Sequence, residues 1–220
     1  GNLRIGALTT LRSIELSPLV RKYHPVLFEA ISSIASIQVK SMGTAVGNLC
    51  VATPASDVAL ALTVLGAQLK ISGTTTDKTV SIEDFYTGVN RTILQPGDIV
   101  SDILIPECAT GTGSAFLKLV TSATDIAKVN VAVAITLKDH NCRQVKIALG
   151  SVAPTVIRAG KAEETLTGNN LTQDLIDAAS KIAAEETKPI TDIRSTAEYR
   201  QEVAGVLVKR AIEKALARIN

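Results

Sequence analysis

Apolar and polar residues alternate in several short stretches, which is the pattern of half-buried β-strands. At the start of the chain Leu3, Ile5 and Ala7 alternate with polar or small residues and predict a short strand. Further strands are predicted over residues 68–73, 78–82, 99–105, 114–119, 130–138 and 143–152. A turn over residues 74–77 joins the first two of these, and Asp139-His140-Asn141 joins the last two as a hairpin. Residues 37–39 are predicted to be extended and to lead into a glycine-containing turn.

Helix starts and stops are marked by capping residues and prolines. Pro18 and Pro25 punctuate short helices, the second running over about residues 26–33. Thr53 is a suitable N-cap with Pro54 at the first helical position, and this helix is predicted to stop at Gly66. Three more helices are predicted over residues 159–166, 172–186 and 196–219, the last with a capping box formed by Ser195 and Glu198.

Together these elements predict an α+β protein in two parts. Residues 1–110 form an α/β subdomain, and residues 111–220 form a small antiparallel sheet packed on helices. The small residues 109–113, Ala-Thr-Gly-Thr-Gly, are the predicted boundary because such a stretch is flexible.

Composition narrows the classes of function. The chain has 46% apolar residues but only 3% aromatic residues and a net charge of +2, so a nucleic-acid ligand is not expected. No apolar run reaches the roughly 20 residues that a membrane span needs. The three cysteines are far apart and form no Cys-x-x-Cys pair, and the two histidines show no ligand pattern. A reduced, cytoplasmic protein without its own metal is the simplest interpretation.

The segment Gly43-Thr44-Ala45-Val46-Gly47-Asn48-Leu49, followed by residues 53–57 (Thr-Pro-Ala-Ser-Asp), has the strongest chemical signal. A turn of this kind brings backbone N–H groups close to a phosphate, because glycine lacks a Cβ that would block the approach. The carboxylate of Asp57 suits hydrogen bonds from sugar or ribityl hydroxyls. Two alternatives remain open at this point: the segment is an ordinary tight turn, and Asp57 is a first-turn acid that favours the helix dipole.

Several segments resemble the flavin-binding subunits of molybdenum hydroxylases, a family that includes carbon monoxide dehydrogenases and xanthine dehydrogenases. They are residues 38–49 and 54–57 in the first half, and residues 148–168 and 192–211 in the second. The resemblance implies an FAD-binding medium subunit in a hetero-oligomer. Its partners would be a large molybdopterin subunit that oxidises substrate and a small subunit with [2Fe-2S] clusters, from which electrons pass through the flavin to an acceptor.

The resemblance also implies roles for individual residues. Thr44, Asn48 and Asp57 match positions that contact the pyrophosphate and the ribityl chain, with Gly43, Gly47 and Ser56 in support. Ile34 and Val100 match apolar positions against the isoalloxazine, Lys118 a lysine near the polar edge of the flavin, and Asp125 a nearby acid. A lysine there can stabilise negative charge on the reduced flavin. The alternative for Lys118 is a solvated lysine on an exposed strand.

Three departures from the family pattern leave two functions open. Val46 stands where the family has glycine and would be strained if that residue needed a positive φ. Ser122 stands where the family commonly has arginine. Family members begin with about 60 more residues, the size of a small domain, which carry a second glycine loop for the pyrophosphate. The chain is therefore expected to be an FAD-binding subunit or its major fragment, or alternatively a flavin-free scaffold of the same fold.

Overall fold

The computed structural model describes residues 1–74 and 76–219. The elements of the first half are β1 (Leu3–Gly6), α1 (Leu11–Leu16), α2 (Pro18–Tyr23), α3 (Pro25–Ser32), α4 (Ile37–Met42), α5 (Ala45–Cys50), α6 (Asp57–Val64), β2 (Gln68–Ser72), β3 (Asp77–Ser81), β4 (Tyr86–Gly88), β5 (Arg91–Thr92) and β6 (Ile99–Ile105). Those of the second half are β7 (Thr112–Leu119), β8 (Val129–Lys138), β9 (Asn141–Gly150), β10 (Ile157–Arg158), α7 (Gly160–Leu166), α8 (Gln173–Glu185) and α9 (Ala197–Leu216).

Within the described residues, each half contains one antiparallel sheet of four strands. The order is β1-β6-β2-β3 in the first half and β10-β9-β8-β7 in the second, and β4 and β5 form a separate hairpin. This confirms the predicted α+β class, and the predicted strands agree with the observed ones to within two residues at each end. The two sheets fall on either side of residues 110 and 111, the predicted domain boundary, which itself stays a prediction.

The second sheet is covered on both faces. Val131 and Val133 of β8 pack in a core with α7, α8 and α9, whereas Ala132 and Ala134 belong to the core of the first half. Alternate residues of a strand point to opposite faces, so one face of this sheet packs on α3 and α6. As a consequence, polar residues on that face of β7 and β8 meet the start of α6.

Three local predictions are wrong for identifiable reasons. Residues 37–39 are not extended but begin α4, because Ser36 caps this helix by accepting from the Val39 N–H. Helix α6 begins at Asp57 with Ser56 as its N-cap, and Thr53 is not the cap. The carbonyls of residues 54 and 55 instead accept hydrogen bonds from the second half. The N-cap of α9 is Thr196, because the Ser195 backbone is paired with Asp192.

Two further points concern single segments. The predicted turn over residues 74–77 includes Thr75, which lies outside the described residues. Within the described part of the chain, no helix is both long enough and apolar enough to cross a bilayer.

Candidate functional site

The predicted phosphate turn is the beginning of helix α5. Gly43 has an extended backbone, and Thr44 is the N-cap, whose Oγ1 accepts a hydrogen bond from the Gly47 N–H at 2.9 Å. The Leu11 N–H of α1 donates to the Gly43 carbonyl at 2.9 Å and holds the turn in place. One amide of the turn is thus already paired with a side chain, while Gly47 remains exposed to solvent.

Val46 does not have the strain that its position suggested. It lies in the first turn of the right-handed helix α5, and its φ is not positive. Its side chain is buried in the core of the first half. The condition for strain at this position, a positive φ, is therefore not met, because the segment is the start of a helix.

Asn48 and Ser56 join α5 to α6. The Ser56 hydroxyl donates to Asn48 Oδ1 at 2.6 Å, and the same hydroxyl oxygen accepts from the Ala59 N–H at 3.1 Å. Ser56 is buried, whereas Asn48 is half-buried. Since the side-chain oxygen of Asn48 is occupied by Ser56, its NH₂ group is the donor that remains for a ligand.

The Asp57 carboxylate is buried at the start of α6 and is held by two residues of the second half. Lys118 Nζ lies 2.7 Å from Oδ2, and Asn130 Nδ2 donates to Oδ1 at 2.7 Å. Lys118 and Asn130 are directly opposite each other on β7 and β8. The Lys118 side chain is only 8% exposed, so the alternative of a solvated surface lysine is wrong.

The electrostatics of this pair are set by burial. Burial raises the pKa of Asp57, and the Lys118 ammonium and the hydrogen bonds from Lys118 and Asn130 oppose the rise without cancelling it. Each carboxylate oxygen accepts from one of these residues and keeps a lone pair for a further hydrogen bond. The hydroxyl groups of a ligand can donate hydrogen bonds to this carboxylate.

Asn130 and the turn at Ser151 were missed in the sequence. Asn130 Nδ2 also donates to the Ala55 carbonyl at 3.3 Å, and the Ser151 N–H donates to the Pro54 carbonyl at 2.8 Å. The loop in front of α6 is thus anchored to β8 and to the end of β9. An asparagine inside the apolar run of β8 is a signal that could have pointed to Asn130, whereas no pattern connects Ser151 with residue 54.

The remaining predicted site residues, Ile34, Val100 and Asp125, differ in how far they are buried. Ile34 is half-buried and follows Ser33, whose carbonyl is 3.4 Å from Lys118 Nζ, so Ile34 lies at the edge of the cluster. Val100 is 2% exposed within β6. Asp125 is exposed, and its carboxylate accepts from the Ser122 N–H at 3.1 Å in the loop between β7 and β8. Flavin contacts of these residues stay predictions.

The site therefore combines a half-buried polar rim with a buried ion pair. The rim is formed by Thr44 and Asn48, and the ion pair by Asp57 and Lys118. Hydroxyl and amide donors on the rim suit phosphate oxygens, and the carboxylate suits hydroxyl groups, so the donor set fits a phosphorylated cofactor with a polyol chain. Within residues 1–74 and 76–219, no cluster of three or more His, Cys, Asp or Glu residues could hold a metal ion.

The fold and this site define a cofactor-binding protein of the flavoprotein class. Residues 1–108 match the family described as the FAD binding domain in molybdopterin dehydrogenase, and residues 114–215 match the CO dehydrogenase flavoprotein C-terminal domain. The chain belongs to this family of FAD-binding medium subunits of molybdopterin dehydrogenases, and its cofactor is FAD. The resemblance noted in the sequence is thereby confirmed.

Relatives and solved structures agree with this assignment. The chain is 35% identical over 214 residues to the carbon monoxide dehydrogenase medium chain of Afipia carboxidovorans, covering 97% of this chain and 74% of that one. It is 34% identical to the glyceraldehyde dehydrogenase medium chain of Sulfolobus acidocaldarius, covering 96% and 74%. The carbon monoxide dehydrogenase structure from Hydrogenophaga pseudoflava superposes with a TM-score of 0.96 at 33% identity, covering 100% of this chain and 76% of that one.

Proposed function

We propose that this chain holds FAD where its two halves meet and serves as the electron-transfer subunit of a molybdopterin-dependent oxidoreductase. A large molybdopterin subunit oxidises the substrate, and a small subunit with [2Fe-2S] clusters delivers electrons to the flavin, which passes them to an external acceptor. The names of the relatives as medium chains of dehydrogenases support a hetero-oligomer. The free cysteines support a cytoplasmic location.

The observation that carries the proposal is the buried pair of Asp57 and Lys118, 2.7 Å apart, beside the capped turn of Thr44. Asp57 accepts hydrogen bonds from ribityl hydroxyls, and Thr44 and Asn48 bind the pyrophosphate, with Gly43, Gly47 and Ser56 shaping the turn. Lys118 places a positive charge near the polar edge of the ring.

The apolar and peripheral roles are assigned to the other predicted residues. Ile34 and Val100 provide the apolar side of the ring site, and Asp125 lies on the loop that borders it. When bound, FAD accepts electrons singly or in pairs, which lets it join one-electron clusters to an acceptor. The chain itself contributes placement, exclusion of water and the electrostatic field.

A flavin-binding measurement on the native polypeptide tests the proposal. The protein is incubated with FAD and passed over a gel-filtration column, and the visible absorption of flavin in the protein peak is recorded. We expect retained flavin in the wild type and strongly reduced retention in Lys118→Met. A control variant, Lys209→Met, removes a lysine whose side chain is 39% exposed and should retain flavin as the wild type does. A wild type that retains no flavin would overturn the proposal.

The competing function is a flavin-free scaffold of the same fold. Two observations favour it: the Gly47 amide is already paired with Thr44, and Ser122 gives no positive charge on the loop that carries Asp125. A scaffold would co-purify with its partner subunits without flavin absorption, whereas the proposed subunit would carry flavin both alone and in the complex.

A further inference from the structure

The second half of the chain holds the last part of the loop in front of α6 and the first residue of that helix. The Pro54 carbonyl accepts from the Ser151 N–H, the Ala55 carbonyl accepts from Asn130, and the Asp57 carboxylate accepts from Asn130 and Lys118. Asn130 donates both to a backbone carbonyl of this loop and to the carboxylate of Asp57, which follows the loop. Its single NH₂ group therefore couples the position of the loop to the orientation of the Asp57 side chain.

The buried position of the Asn130 side chain is energetically unfavourable and calls for an explanation. Its side chain is fully buried, and its Oδ1 has no hydrogen-bond partner among the residues that the structure describes, a situation that costs free energy in a protein interior. Room for the amide exists because residue 150 is glycine, where an added Cβ would lie 2.3 Å from Oδ1. An alanine or valine, as at the neighbouring positions of β8, would avoid the unpaired oxygen but would leave Asp57 Oδ1 without a donor.

Lys118 alone does not fix the plane of the carboxylate. An ammonium contacts one oxygen, Oδ2, and leaves the group free to rotate about its terminal torsion, which is broad for aspartate. The hydrogen bond from Asn130 to Oδ1 fixes the second oxygen as well. The directions of the remaining lone pairs of the carboxylate are then fixed too. Groups that bind a ligand depend on such supporting hydrogen bonds for their orientation.

We infer that Asn130 is a positioning residue for FAD: it orients Asp57 so that the cofactor hydroxyls meet the carboxylate in one geometry. This inference rests on the proposed flavin function. It places a determinant of FAD affinity on β8, a strand that supplies no residue to the cofactor contacts predicted from the sequence. In this role Asn130 influences the cofactor through Asp57, and its longer contact of 3.3 Å with the Ala55 carbonyl supports the loop.

A double-mutant cycle on FAD affinity tests the inference. The dissociation constant of FAD is measured for the wild type, Asn130→Ala, Asp57→Asn and the double variant. Because the lost hydrogen bond is to a charged group, Asn130→Ala should weaken FAD binding about tenfold or more in the wild type. In the Asp57→Asn background the same change should weaken binding less than about threefold, since the group that Asn130 orients is already altered.

A matched control separates positioning from general destabilisation. Thr136 is also buried on β8, and its hydroxyl bonds to Thr112 Oγ1 at 2.7 Å, away from Asp57. Thr136→Ala should lower the melting temperature but leave the FAD dissociation constant within about twofold of the wild type. If Asn130→Ala changes affinity no more than this control does, the inference is overturned.

A second variant keeps the test valid if Asn130→Ala does not fold. Asn130→Asp has nearly the same shape but presents a second carboxylate to Asp57 at neutral pH. As the pH falls, the two carboxyl groups share a proton, and the protonated group can again donate a hydrogen bond to its neighbour. The FAD affinity of this variant should therefore rise toward the wild-type value. Lys118 is the titratable side chain in contact with Asp57, with its Nζ 2.7 Å from Oδ2. Affinity that equals the wild type at neutral pH would overturn the inference.

The two proposals fail in different ways. If the wild type binds no FAD, the proposed function fails before any variant is compared. If the wild type binds FAD and the Asn130 variants bind it equally well, only the positioning role fails.

Discussion

Glu29 of α3 forms an ion pair with Arg218, which follows α9, with 2.5 Å between Oε1 and Nη2. Lys214 Nζ lies 2.7 Å from the same oxygen, and Oε2 accepts from the Phe116 N–H at 2.9 Å. Phe116 belongs to β7, which is the edge strand of the second sheet. Glu29 thus joins the two halves and also satisfies a backbone donor that the sheet leaves unpaired.

Replacing this carboxylate by an amide should weaken the contact between the halves. We expect Glu29→Gln to lower the free energy of unfolding by about 1–3 kcal/mol, because hydrogen bonds to a charged group are lost. The measurement is urea unfolding at neutral pH. Asp177→Asn is the control, since Asp177 pairs with Lys209 on the surface and is 42% exposed. This change should have a much smaller effect, because solvent screens an exposed ion pair, and equal losses in both variants would contradict the prediction.

The same carboxylate predicts a loss of stability in acid. Burial alone would raise the pKa of Glu29, but the hydrogen bonds from Arg218, Lys214 and the Phe116 N–H outweigh it and hold the pKa below its usual value. A lowered pKa in the folded state means that this contribution is present above the ordinary glutamate value of about 4.3 and is lost as the pH falls through the lowered value. The stability difference between wild type and Glu29→Gln should therefore shrink as the pH falls below the ordinary glutamate value of about 4.3. A constant difference would show that Glu29 does not titrate in this way.

The sequence predicted the strands well and the helix starts near the site less well. Strand patterns depend on local alternation, so β6 was predicted with its observed limits, 99–105. The start of α6 depends on distant partners, because the Pro54 and Ala55 carbonyls accept hydrogen bonds from residues of β8 and the turn after β9. Local capping rules favoured Thr53, and tertiary hydrogen bonds favoured Ser56.

The candidate site shows the same limit. The resemblance pointed to Asp57 and Lys118 separately, but their pairing could not be read from residues that are far apart in the chain. Asn130 was missed because its function depends on its cross-strand position opposite Lys118, which only the register of β7 and β8 reveals. The sequence left open the alternative of a solvated Lys118, because a charged residue on a strand is usually exposed, and its buried pairing with Asp57 excludes that alternative.

Gly47 is predicted to be needed for the N-terminal cap of α5, in addition to leaving space for a phosphate. A Cβ on this residue would lie 2.9 Å from Thr44 Oγ1, the oxygen that accepts the Gly47 N–H. Gly47→Ala should displace the cap and lower the free energy of unfolding by about 1 kcal/mol in thermal or urea unfolding. Gly160→Ala is the matched control, because a Cβ there, at the start of α7, has no neighbour within 4 Å in the described part of the chain. It should be neutral or stabilising by about 0.5 kcal/mol, and a stable Gly47→Ala would contradict the prediction.

Arg200 of α9 connects the second half to the loop in front of the site. Its side chain is 4% exposed, and it donates to the carbonyls of Lys128 and Ser151 at 2.7 and 3.0 Å and to Asp192 Oδ1 at 2.7 Å. The Ser151 N–H in turn holds the Pro54 carbonyl. Arg200 therefore fixes the turn on which the approach to Asp57 depends.

Arg200→Lys should destabilise the protein although it keeps the charge. A lysine ammonium lacks the planar fork that reaches three acceptors, so buried oxygens would be left unpaired, and we expect a loss of about 3 kcal/mol in urea unfolding. Amide hydrogen exchange at Ser151 should also become faster, because the turn loses its anchor. Arg194→Lys is the control: it contacts the same Asp192 at 3.7 Å but is 45% exposed, and should cost under about 1 kcal/mol. Unchanged exchange at Ser151 in Arg200→Lys would show that the turn is held without Arg200.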